Sequence, residues 1–239
     1  MAVDQTGLNW CHEVGRRSTT LRDVRYISSV AAIFAAICVI VASPAAASPV
    51  LPQNKIDTLV LSDDDVSSVV GLPLHRIGGI YPTPGGAAPA DHDGCKTLVS
   101  SDVEQWSGDF TAFRQLAQQD NPDNLQFSVT QYVATYPNSL VVARVFRHTF
   151  TSDLVNRCSS KTLTDTGGTQ WSVLGVSVMG GGATWKIAQL QDGQDTSWHC
   201  VNQVQAKGNV MFQIQECQFG NGSPVVGQLV DLVASRIPS

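Results

Sequence analysis

The sequence is short of charge, of basic residues above all, and of every compact catalytic or metal-binding signature. Charged residues make up 15% of its 239 positions, with 15 Lys+Arg against 20 Asp+Glu. Four of the bases (Arg16, Arg17, Arg22, Arg25) and three of the acids fall within residues 1–47, which leaves 11 basic and 17 acidic residues beyond them. Binding nucleic acid requires a basic face to neutralise phosphates, so an acidic remainder excludes that class of partner. Only one stretch is long and apolar, which excludes a polytopic membrane protein. At 43% hydrophobic residues the chain is also too apolar for intrinsic disorder, and its length suits one globular domain.

Catalytic patterns are missing too. Gly175-Val176-Ser177-Val178-Met179 lacks the final glycine of a nucleophile elbow and falls in a strand-like run. No phosphate loop, His-Glu-x-x-His pair or kinase signature occurs. There is no Cys-x-x-Cys pair and no cluster of histidines, so neither a metal nor another cofactor is expected. Asp91-His92-Asp93 reads as a solvated turn and not as ligands, and Asp63-Asp64-Asp65 lacks the alternate spacing of a calcium loop. The chain is expected to be non-catalytic.

What is present begins with an export signal over residues 1–47. The four arginines precede an apolar run from Tyr26 to Val41, and Ser43-Pro44-Ala45-Ala46-Ala47 supplies a helix breaker and a small-residue cleavage pattern after Ala47. The run is ~16 residues where a spanning helix wants ~20. Cys38 lies inside it after Ile37, which argues against lipidation. The protein is therefore expected to be secreted or periplasmic at the cell envelope, and held by the membrane only if this segment stays uncleaved. Residues 48–58 read as an N-terminal linker and 59–239 as one domain.

Outside the signal four cysteines remain: Cys95, Cys158, Cys200 and Cys217. An even number in an exported chain implies two disulfides, of which three pairings exist. Residues 197–218 alternate on both sides of Gly208-Asn209, a two-residue turn. Pairing Lys207 with Val210 puts Cys200 opposite Cys217 in a non-hydrogen-bonded pair, with Cα atoms ~4.5 Å apart. Cys95–Cys158 then follows by elimination.

Ser62 caps a helix with three acids in its first turn, Val66, Val69 and Val70 on its apolar side, and Gly71 and Pro73 at its end. Residues 82–94 read as a surface loop. Phe110–Ala117 is ambiguous between strand and helix. Leu125, Phe127, Val129 and Val133 share one face of a period-two run and Ser128, Thr130 and Tyr132 the other. Trp171–Val178 and Thr184–Leu190 flank three glycines as a second hairpin. A helix is predicted from Asn138 or Ser139 to about Arg157, with Ala143, Phe146, Phe150 and Leu154 inward. Ser223-Pro224 begins the last helix, with Val226, Leu229, Val230, Val233 and Ile237 on one side; this turn is a better reading of Asn221-Gly222-Ser223 than a glycosylation acceptor. The fold class is α+β: a mainly antiparallel β-sheet covered by a few packed helices.

Several of these features occur together in one known family. Leu59-Val60-Leu61-Ser62-x-x-x-Val66 with Gly71, Cys95 after a loose linker, Phe110-Thr111-Ala112-Phe113-Arg114, the Val129–Tyr136 strand, the helix ending at Cys158, Trp171, and Trp198-x-Cys200 closing at Cys217 resemble the PknH-like extracellular domain family. That is the sensor domain of a mycobacterial Ser/Thr kinase and of free-standing exported proteins. The resemblance spans about residues 55–237. It implies the same two cysteine pairs, a strand at Phe110–Ala117 and a cleft that binds an unidentified ligand. It carries over no catalytic residue. With no kinase signature and no lipobox, this chain is expected to bind without relaying a signal alone.

The expected function is thus a sensor-like domain that binds a small molecule or cell-wall component in a cleft. The ordinary fate of Trp106, Trp171, Trp185 and Trp198 is core packing, and a stacking surface for sugars or peptidoglycan stems is the alternative. Trp198, Trp171 and Tyr132 are the candidate lining residues. Convergent titratable groups would instead indicate a cell-wall hydrolase or transferase. A broad apolar patch would indicate docking onto an envelope receptor with the same domain.

Overall fold

A computed structural model describes residues 49–86, 94–220 and 224–238. The predicted signal (1–47), the Asp91-His92-Asp93 turn and Asn221-Gly222-Ser223 lie outside the described residues.

The hairpin around Gly208-Asn209 forms as predicted: β7 (Gln194–Lys207) and β8 (Val210–Phe219) pair Lys207 with Val210 and Cys200 with Cys217. Gly208 has φ +56° while Asn209 does not go positive, as a turn with glycine at its first central position requires. Cys200 and Cys217 are bonded, their Cα atoms 4.0 Å apart, and Cys95 is bonded to Cys158. The second predicted hairpin is β5 (Gln170–Met179) and β6 (Gly182–Gln191), turned by Gly180-Gly181 with both φ values positive. The two hairpins join through a further tight turn at Asp192-Gly193, so β5 to β8 run as one meander.

The ambiguous segment resolves as strand. β2 (Ala112–Gln119) pairs with β3 (Phe127–Thr135), and β3 pairs with β8. β1 (His75–Tyr81) and the short β4 (Thr162–Thr164) close the two edges, giving an eight-stranded antiparallel sheet in the order β1-β2-β3-β8-β7-β6-β5-β4. The edge strand β1 is exposed along its whole length and contributes no core residue, whereas β4 buries Leu163 between two exposed threonines.

Strand alternation sends side chains to two cores. On one face Val129, Val133, Phe212 and Ile214 pack under a 3-10 turn (Gln53–Thr58), α1 (Asp63–Val70) and the last helix. Ser62 caps α1 in a full capping box with Asp65, and Gly71 ends it at φ +78°. Within the stretch read as a linker, Leu51 and Ile56 are buried in this core. On the other face Tyr132, Trp185, Val204 and Met211 lie under a 3-10 turn at Cys95–Leu98, the short α2 (Val103–Trp106), and the helical segment that leads to Cys158.

Two helices differ from expectation. The single helix predicted to Arg157 is broken into α3 (Ser139–Thr149) and α4 (Leu154–Cys158). Between the β-branched Thr149 and Thr151, Phe150 leaves helical geometry at ψ 73° and lays its ring against Phe146 and Trp185. The inward side of α3 is Val142, Val145 and Phe146, with Ala143 only half-buried. The last helix, α5 (Val226–Ser235), starts two residues beyond Pro224; Val226, Leu229, Val230 and Val233 are buried on it, and Ile237 is buried just beyond its end.

Candidate functional site

The face that carries the Cys95–Cys158 bond holds a polar cavity in an otherwise apolar core. Its floor is sheet: Tyr132 from β3, Gln213 and Gln215 from β8, Asn202 from β7, with Trp171 from β5 at the side. Its roof is the segment after Cys95, Thr97 to Ser101. The volume is about 100 Å³. The roof stays in place because Leu98 offers its carbonyl to the buried Trp185 indole N–H at 2.7 Å, and Cys95 anchors the chain just before it.

Strand alternation explains how the floor assembles. Tyr132 faces Gln213 across the β3–β8 ladder, and Asn202 faces Gln215 across β7–β8, all on the same side of the sheet. Three buried carboxamides form a chain there. Gln105 Nε2, from α2, donates to Gln213 Oε1, and Gln213 Nε2 donates to Asn202 Oδ1 at 3.1 Å. Both ends are unfinished. Asn202 Nδ2 and Gln105 Oε1 are buried without a partner in the structure, as is Thr97 Oγ1. Asn202 is 0% exposed and Gln105 1%. A buried polar atom left unpaired costs on the order of 1–3 kcal/mol, so three at one place require a reason beyond packing.

The cavity holds few titratable groups. Burial pushes the Tyr132 phenol up from its ordinary value, against a hydrogen bond from the Ser101 side chain. Asp165 is spent on structure: Oδ1 accepts from the Gly167 and Thr169 N–H groups at 2.8 and 2.9 Å, and Oδ2 accepts from the Trp171 indole at 2.9 Å. Among the described residues no group of three His, Cys, Asp or Glu side chains is placed to hold a metal ion.

Thr97 also lines a neighbouring cleft of about 230 Å³, whose walls include Lys96, Glu104, His148 and Arg157. Lys96 and Glu104 pair there at 2.6 Å. Glu104, His148 and Thr149 are shared in turn with a third recess of about 200 Å³ against α3. The concave features of this face therefore run in series from Trp171 to Arg144.

Of the three residues predicted to line a cleft, Tyr132 and Trp171 come together in the polar cavity. Trp198 does not; it packs edge-on against Phe219 with ring centroids 4.8 Å apart. The amides Gln105, Asn202 and Gln213 were not anticipated. For Asn202 and Gln213 the only signal is a polar residue at a core position of an alternating strand, visible once the register is known, and Gln105, on the short α2, has none.

An antiparallel sheet between two helical layers, cross-linked twice and carrying a concave polar site, defines a disulfide-bonded α+β domain. The chain belongs to the PknH-like extracellular domain family, whose model matches residues 51–236. Comparison with curated protein sequences gave no match. Among solved structures it is similar to the crystal structure of the extracellular domain of PknH from Mycobacterium tuberculosis, at 18% identity and a TM-score of 0.67, over 79% of this chain and 97% of that one. That likeness confirms the fold. Family membership places the domain on the extracellular or envelope side, and among the described residues no helix is long and apolar enough to cross a membrane.

Proposed function

We propose that this protein is a non-catalytic, exported binding domain of the cell envelope that seats a small molecule, or one unit of a cell-wall component, in the polar cavity beside Tyr132 and Trp171. The observation that carries this reading is the set of buried, unpartnered atoms on Asn202, Gln105 and Thr97 around connected concave features. A ligand that completed those hydrogen bonds would recover the cost of leaving them open. The few titratable groups of the cavity, with Asp165 already engaged, favour recognition over acid–base chemistry.

Export through residues 1–47, with release after Ala47, belongs to the same reading. N-terminal sequencing of protein from the culture medium is expected to begin at Ser48. Native mass spectrometry of protein purified from its own host is expected to show a retained mass that Asn202→Ala loses. Turnover of an envelope component by the purified chain would replace binding with catalysis.

A further inference from the structure

We infer that the polar cavity takes the hydroxyl-bearing edge of an uncharged ring: a sugar or cyclitol unit, alone or at the end of a longer molecule. The inference rests on the reading of the cavity as a binding site and adds the chemistry of what enters it.

Charge makes the first selection. No Lys, Arg or His is among the described residues that line the cavity, and Asp165 is its single carboxylate. An anion would lose its hydration there and meet no counter-charge. A cation would find only a carboxylate whose two oxygens already accept three hydrogen bonds.

Hydrogen-bond complementarity makes the second. Asn202 Nδ2 is a donor in want of an acceptor, whereas the Thr97 hydroxyl, also unpartnered, serves as either. Gln215 adds an amide with both functions, and Tyr132 a phenol. Adjacent hydroxyls on a ring each donate and accept, so they match such a mixed wall. A carbonyl or an ammonium group offers one function only.

Shape makes the third. Tyr132 lines the floor and Trp171 the side of a predominantly polar surface, which suits the hydroxyl rim of a ring and not its C–H face. About 100 Å³ is several times the ~30 Å³ that one water occupies. That is room for about three waters, less than a whole pyranose displaces, so one edge of the ring enters the cavity and the remainder lies toward the neighbouring cleft past Thr97. The neighbouring cleft, reached past Thr97, gives a longer chain a way out.

Ligand-observed NMR and calorimetric titration of the chain from Ser48 onward, with its disulfides intact, test this. The probes are glucose, galactose, mannose and myo-inositol as neutral rings, glucosamine as a cation and glucuronate as an anion. At least one neutral ring is expected to bind about tenfold or more tightly than either charged one. Asn202→Ala, and independently the half-buried Gln215→Ala, are expected to weaken that binding about tenfold. Tighter binding of glucosamine or glucuronate overturns the ligand class, and their sensitivity to Asn202→Ala would leave the cavity standing as a site. Failure of every neutral ring to bind at millimolar concentration also overturns the class. Neutral-ring binding that both folded variants retain in full overturns the cavity itself, and with it the reading beneath.

Discussion

Glu216, on β8, accepts a hydrogen bond from the Val225 backbone N–H through Oε2 at 2.8 Å, so an acid from the floor of the sheet caps the start of α5. Val225 has no side-chain cap of its own, and Glu216 is only 2% exposed, with Oε1 unpartnered. Burial raises its pKa above the ordinary 4.5, and the backbone N–H groups of Val225 and Val226 offset only part of that. The helix is thereby registered on the sheet through a group that resists ionisation.

That arrangement has a pH signature. A native pKa raised above the unfolded one contributes stability below the unfolded value that is lost as pH rises through the native value. Glu216→Gln keeps an oxygen for the Val225 N–H and removes the charge. Thermal melts of the two proteins are expected to agree below about pH 4.5, with the variant melting higher as pH rises. A variant that melts lower at neutral pH would show that the charge at the helix start outweighs its desolvation.

Asp65 titrates in the opposite sense. Burial opposes its ionisation, but the Arg236 guanidinium at 2.9 Å and the Ser62 hydroxyl and N–H hold its carboxyl below 3.8. Its contribution is present above that value and is lost as pH falls through the lowered native pKa. Asp65→Asn is expected to cost about 1 kcal/mol at neutral pH, with urea midpoints of variant and parent converging in acid.

The carboxamide chain ought to be costlier to cut than to remove. Gln213→Leu strands Gln105 Nε2 and Asn202 Oδ1 together, for a loss of about 3 kcal/mol in urea unfolding. Replacing all three amides by leucine leaves none of these groups orphaned and is expected to recover most of the loss. A triple variant no more stable than Gln213→Leu would mean that packing, not polarity, sets the cost.

The disulfides differ in the length of chain they close. Sequence separations of 17 for Cys200–Cys217 and 63 for Cys95–Cys158 correspond to roughly 3 and 4 kcal/mol in the loop-entropy model. Double serine variants are expected to rank in that order by chemical denaturation. Non-reducing peptide mapping is expected to join Cys200 only to Cys217.

Much of this architecture follows from local pattern. Apolar residues at every second or every third and fourth position mark most strands and the faces of α1 and α5, and the turn at Gly208-Asn209 sets a register that brings Cys200 to Cys217. Those are short-range constraints of backbone geometry, expressed within a dozen residues. The break between α3 and α4 was hidden because a helical period runs through Phe150, and it is core packing against Trp185 that bends the chain there. β1 was hidden because an exposed edge strand buries no face and so carries no alternation.

The cavity depends on contacts of a different range. Gln105 and Gln213 are 108 positions apart, and no local rule distinguishes an amide at a buried strand position from one on a solvated face. The chain's own order is enough to specify a twice-bridged sheet with its helices. Which polar groups end up enclosed, and which of them lack partners, is settled when β3, β8 and β7 align beneath the Thr97–Ser101 roof, because burial belongs to the assembled layers and not to any single segment.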